Sequence, residues 1–265
     1  MKKIYDCFQF FNELDILEIR LNELDSEVDH FVIVEAELSH QLKPKPLYFL
    51  ENRERFNKFL DKIIHVVVPG SDFYSPDVQN YAHHNDTKQR DSLLRGIGNA
   101  NSDDLIIISD LDEIVSSKAL NFVKNNWTNE PLIFEQNLYY WYLNTRANGY
   151  MWRNAGICTK EMINNLPSGT RSFKDNKTYQ SFRRVVNGGW HFSYMGSYQH
   201  VKNKLDNFAH TEFGHLTSDE LKVFRERLTD PLGRTNEGIN LVIDPINTMP
   251  VYVQNNIEKF KDYIR

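Results

Sequence analysis

Residues 105–114, Leu-Ile-Ile-Ile-Ser-Asp-Leu-Asp-Glu-Ile, decide how this chain is read. The four consecutive apolar residues Leu105 to Ile108 show no polar alternation, the pattern of a strand buried on both faces. The end of that strand delivers Asp110, Asp112 and Glu113 into a turn. In open α/β sheets ligands bind beyond the carboxyl ends of the strands. Carboxylates this close repel one another unless a positive charge sits between them. A hard divalent cation, Mn2+ or Mg2+, holding a diphosphate supplies that charge, because such ions take oxygen ligands. The plainer alternative is an acidic turn leading into a helix capped by Ser116 or Ser117, where carboxylates favour the helix dipole.

Upstream, strand and helix periodicities alternate. Residues 2–10 suit an opening strand, and residues 12–28 place Leu14, Leu17, Leu21, Leu24 and Val28 at helical spacing. Residues 30–36 and 62–69 read as buried central strands, the second closed by Pro69. Asp86 or Thr87 is placed to cap a helix carrying Leu93, Leu94 and Ile97. Downstream the alternation loosens. Residues 131–144 read as a long aromatic strand, and residues 178–195 as two strands around a Gly188-Gly189 turn. Helices are expected at 197–209, at 218–228 behind a Thr217/Glu220 capping box, and near the end of the chain at 250–265. The expected architecture is therefore α/β: one domain spanning 1–265, with a central, mostly parallel sheet flanked by helices and an irregular carboxy-terminal half.

Composition narrows the function classes. With 31 basic and 36 acidic residues the net charge is -5, a field that repels phosphate-rich polymers, so no nucleic-acid partner is expected. Two cysteines in 265 residues do not make a disulfide scaffold. The opening residues lack a signal-peptide core, and no run of about 18 apolar residues suits a membrane span. The expectation is a cytoplasmic protein with no transmembrane segment.

An Asp-x-Asp at a strand end serves haloacid-dehalogenase-like phosphatases, where the first Asp is the nucleophile, and GT-A nucleotide-sugar glycosyltransferases, where the pair holds a metal bound to the donor diphosphate. In the former the motif usually ends the first strand; here three strands precede it. The ordered set YDCFQFFNELDILEIRLNEL, VDHFVIVEA, KPLYF, SDLDEI, NLYYWYLN and GGWHFSYMG resembles glycosyltransferase family 17 over most of residues 4–200. The resemblance implies a GT-A-type fold, a UDP-N-acetylglucosamine donor, Mn2+ or Mg2+, inversion at the anomeric carbon and a beta-1,4 linkage to a mannose-type glycan acceptor. It places Asp110 and Asp112 in the family's Asp-x-Asp, His191 in its Gly-Trp-His-x-Ser stretch, Glu13, Asp15 and Arg20 in its opening motif, and Glu35 at the end of its second strand. The region after about residue 200 departs from the animal members.

Transfer from a diphosphate requires charge neutralisation, a base for the acceptor hydroxyl and a sugar pocket. Metal ligation is assigned to Asp110, Asp112 and His191, and donor binding to Asp110, Arg90, Glu13 and Glu35. His191 can equally be a structural ring between Trp190 and Phe192, and Arg90 a solvated helix residue. Two carboxylates compete as base: Glu212, among His210 and His215, and Glu135, which within an apolar strand must be paired or face a cleft. The competing functions are an Asp-x-Asp phosphate-ester hydrolase and a non-catalytic nucleotide- or carbohydrate-binding protein.

Overall fold

The computed structural model describes residues 2–163, 167, 183–230 and 240–265. The amino-terminal half winds as expected: β1 (Ile4–Phe10), α1 (Leu14–Leu24), β2 (His30–Ala36), a short helix α2 (Tyr48–Glu51), β3 (Ile63–Val68), α3 (Tyr81–Asp91), α4 (Leu93–Gly96) and β4 (Leu105–Asp110). β1 pairs in parallel with both β2 and β4, and β2 with β3, giving the order β3-β2-β1-β4. β1, β2 and β4 are buried on both faces because alternate residues feed two cores, whereas β3, expected as a buried central strand, lies at the edge of the sheet with only Val66 and Val68 fully buried. Phe8, Ile33 and Ile107 pack on the side of α1, while Cys7, Val32 and Ile108 pack on the side of α4.

Strand order reverses between β1 and β4. In a doubly wound sheet that switch point opens a crevice at the carboxyl ends of the strands. Here the register sets Gln9 of β1 opposite Asp110 of β4, so the opening motif and the acidic turn meet at one edge of the crevice.

Beyond β4 come β5 (Glu113–Val115), α5 (Ser117–Asn125), β6 (Leu132–Tyr140), β7 (Thr145–Trp152), β8 (Gly156–Thr159) and β9 (Arg183–Ser193). They are followed by α6 (Tyr198–Leu205), α7 (Ser218–Arg227) and β10 (Leu241–Ile243). β8 pairs antiparallel with β4 and with β6, and so ties the second half into the same sheet. Among the described residues the second half is regular where strands were expected, in β6 and in β9 up to Ser193. The Thr217/Glu220 capping box is present with both of its hydrogen bonds. The aromatic run on β6 is core: Tyr139, Tyr140 and Trp141 are all buried.

Three local expectations are corrected. Asp86 and Thr87 do not start a helix; α3 begins at Tyr81 after Asn80, whose φ is +57°, and both residues lie inside it. Asp86 there pairs with Arg90 one turn later, so its side chain reaches across the helix instead of capping it. Gly188 and Gly189 do not form a turn between two strands; they lie within the single strand β9. Its pairing with β6 jumps from Phe134↔Val185 to Gln136↔Gly189, a bulge in place of a reversal. The backbone is close there: a Cβ on Gly189, at φ +134°, would stand 2.1 Å from the Ile114 carbonyl oxygen. Gly189→Ala should therefore lower the urea midpoint by more than the ~1 kcal/mol scale of compatible glycine replacements. The third correction is at the end of the chain, where a helix covers only Val251–Gln254 and a further single turn spans Lys261–Tyr263.

Candidate active site

A cleft of about 460 Å³ opens at the switch point. Its walls include Gln9, Phe11 and Glu13 after β1, Asp86 and Arg90 of α3, Asp110 and Asp112 after β4, Trp152, His191 and Lys204. Of the residues assigned from sequence, Asp110, Asp112, His191, Arg90 and Glu13 thus converge although they come from four separate parts of the chain.

The acidic turn is held from behind. Arg20 of α1 is fully buried and pairs with buried Asp6 through Nε and Nη2, at 2.8 and 2.6 Å. Its Nη1 donates to the carbonyls of Asp110, Leu111 and Glu113 at 2.7, 3.1 and 3.3 Å, and Nη2 also reaches the Ser109 hydroxyl at 2.6 Å. The guanidinium fork thereby fixes the backbone that presents the acids. Glu113 closes the same turn: its carboxylate accepts from the Asp110 amide at 2.8 Å and from the Trp152 indole at 2.7 Å. Being fully buried, it fastens the turn and offers nothing to a ligand.

Two ion-pair networks flank the aspartates. On one side Arg90 donates to Asp110 at 2.7 Å and to Asp86 at 3.0 Å, and Asp86 also accepts from Gln9 at 2.8 Å. Burial alone would raise the Asp86 pKa, but Arg90 and His40 outweigh it and hold the carboxyl at about 2. On the other side Lys204 Nζ bridges Asp112, at 3.0 Å, and Glu13, at 2.9 Å. Burial again opposes charge on Asp112, yet Lys204 and His191 keep this carboxyl well below the usual range.

The sequence left His191 between a ligand role and a ring packed against Trp190 and Phe192. Strand alternation separates it from both neighbours. Trp190 and Phe192 stack on each other 6.5 Å apart, while the His191 ring lies 4.4 Å from that of Trp152 at the cleft. Its Nε2 faces Asp112 at 3.5 Å, and its Nδ1 is buried with no hydrogen-bond partner.

The other assignments fall elsewhere. Glu35 is not in the cleft wall: it is fully buried behind it, accepting from the Phe49 amide at 3.0 Å and lying 3.2 Å from His65 Nε2. Glu135 is paired, 2.7 Å from Arg153 and 3.9 Å from Arg184, and is absent from the cleft wall. Glu212 is exposed on the rim and bonded at 2.8 Å to His210, which does line the cleft. His83 of α3 joins this pair, with one ligand atom from each of the three lying within 4.8 Å of the others; His215 instead bonds the Glu212 backbone. Sequence reasoning missed Lys204, Trp152 and Gln9, whose roles rest on contacts between distant segments.

An Asp-x-Asp turn flanked by basic side chains thus lies at the switch point of the doubly wound sheet. The profile of Glycosyltransferase family 17 matches residues 1–223, and the chain belongs to that family. Similar curated proteins are the human, rat and mouse enzymes called beta-1,4-mannosyl-glycoprotein 4-beta-N-acetylglucosaminyltransferase, each 27% identical over 176 residues. The match takes in 61% of this chain but only 31% of the length of those relatives. Among solved structures, HddC from Yersinia pseudotuberculosis complexed with GMP-PN aligns over 70% of this chain and 89% of its own, at 10% identity and a TM-score of 0.40. The bifunctional IspDF from Campylobacter jejuni aligns over 78% and 54%, at 10% identity and a TM-score of 0.35. Both are too distant to speak to the chemistry. Among the described residues no helix is long and apolar enough to cross a membrane.

Proposed function

We propose that this glycosyltransferase moves N-acetylglucosamine, or a related sugar, from a UDP-sugar to a glycan hydroxyl with inversion, on a divalent cation at Asp110 and Asp112. The observation that carries the reading is the convergence of Asp110, Asp112 and His191 at the mouth of the sheet's switch point. Two carboxylates and an imidazole are a donor set suited to Mn2+, and His191 presents its Nε2 to Asp112 at 3.5 Å. The cation would neutralise the departing diphosphate. Arg90, held in a fork by Asp86 and Asp110, faces the same charge as a fixed cation. Glu212 is the candidate base, because its partner His210 lines the cleft; Glu135, tied to Arg153, stands outside it.

The names of the family relatives support N-acetylglucosamine as the sugar and a mannose-bearing glycan as acceptor. A phosphate-ester hydrolase is less well served, since Asp110 as nucleophile would have to attack from within its ion pair with Arg90. The test is calorimetry with UDP, with and without chelator. UDP should bind tightly only with Mn2+ or Mg2+ present, since the diphosphate and the two acids otherwise repel. Equal affinity in both conditions would remove the metal from the reading. Release of UDP from a panel of UDP-sugars then identifies the donor.

A further inference from the structure

Asp112 and Glu13 share one ammonium. Lys204, on α6, reaches both carboxylates from a position 92 residues beyond Asp112, and the Tyr194 ring lies 5.8 Å from its Nζ. Its side chain is 23% exposed in the cleft wall, whereas that of Arg90 is 8% exposed and gripped by two aspartates. Lysine is a compact point charge on a flexible four-carbon stem, and arginine a planar fork committed to its partners. Both cations that flank the Asp-x-Asp are held by two carboxylates, but one is a nearly buried planar fork and the other a more exposed point charge on a flexible stem.

A dication on Asp112 repels the Lys204 ammonium and weakens that carboxylate's hold on it. Lys204 holds Asp112 Oδ2, one of the two oxygens this carboxylate can offer the proposed cation. We infer that Lys204 is a movable counter-ion: it balances Asp112 and Glu13 until a divalent cation takes Asp112, and then passes to the phosphate oxygens of the nucleoside diphosphate. This rests on the glycosyl-transfer reading and adds to it a donor-binding residue and an order of events. The diphosphate is the natural acceptor of the displaced charge, because lysine binds phosphate through that point charge. No bond is made or broken in the exchange; one ammonium changes its anionic partner.

The consequence is a pair of effects of opposite sign. Without the ammonium, metal competes with nothing at Asp112 and binds more tightly, while UDP loses a cation and binds more weakly. A merely structural lysine would weaken both. In Lys204→Gln, Mn2+ alone should bind about tenfold more tightly by electron paramagnetic resonance titration, and UDP at saturating Mn2+ about tenfold more weakly by calorimetry, within the range usual for coupled sites. Mn2+ affinity that is unchanged or reduced overturns the inference. A second measurement needs no variant. Acylation of the unaltered chain, read by mass spectrometry, should label Lys204 more strongly with Mn2+ alone and less strongly with Mn2+ and UDP together. Labelling indifferent to Mn2+ overturns the inference as well. If the unaltered chain binds UDP and Mn2+ but shows neither effect, only the role of Lys204 falls. If UDP fails to bind with Mn2+ present, the glycosyl-transfer reading falls with it.

Discussion

Arg20→Met should destabilise the protein by about 3–5 kcal/mol, the usual loss when one partner of a buried ion pair is removed. Methionine keeps much of the apolar stem, so the loss isolates the guanidinium. Asp6 would be left fully buried without its cation, and the Ser109 hydroxyl and three carbonyls of the acidic turn would lose a donor. Against a typical total of about 5–15 kcal/mol this is a large share, and folding at physiological temperature is expected to fail or become marginal. Urea denaturation measures it. A shift within the roughly 0.5 kcal/mol of an ordinary surface substitution would show that the turn is held by something else.

Asp112→Asn is expected to act in the opposite place. The amide is isosteric, and the Asp112 carbonyl would still accept from the Phe192 amide at 2.8 Å, so the fold should survive, with a lower melting temperature because Lys204 keeps only Glu13 as its carboxylate. Transfer should fall by about 10²–10³ or more, the scale seen when one preorganised electrostatic stabiliser is removed. The loss should appear in kcat, with metal-dependent UDP binding weakened alongside it. A variant that melts early yet still turns over would make Asp112 a structural counter-ion of Lys204 and not a donor-site ligand.

The parts of the fold that could be read from sequence are those whose signal is local. The apolar runs that became β2 and β4 announce burial on both faces, and α1 shows its inward face at helical spacing; the run that became β3 carries the same signal although it lies at the sheet edge. Thr217 and Glu220 carry their cap in four residues. The misread pieces at α3 and β9 turned on backbone choices that their side chains do not encode. Asn80 begins α3 in a left-handed conformation with no capping side-chain bond, and Gly189 buys close approach to Ile114 where a turn was expected.

At the site, Asp110 and Asp112 were legible because strand and carboxylates adjoin in sequence. Arg20 was marked only by family likeness, and its hold on carbonyls some 90 residues away has no local trace. Lys204 and Trp152 are invisible for the same reason: each is an ordinary residue on its own element until the sheet brings Asp112 or Glu113 to it. Glu35 and Glu135 show the converse. Their positions on strands suggested use, but His65 and Arg153 already satisfy them.

The hold of Arg20 on the acidic turn also orders events during synthesis. Asp6 and Arg20 leave the ribosome some 90 residues ahead of the carbonyls that complete the arginine's bonding. Until residues 105–113 arrive, closing α1 over β1 would bury a guanidinium with only Asp6 among its acceptors, which is unfavourable. The first βαβ unit therefore has reason to stay open while β2 and β3 are made. It closes when β4 slots in beside β1, so that the nascent chain gains its core and its ligand-binding edge in a single late step.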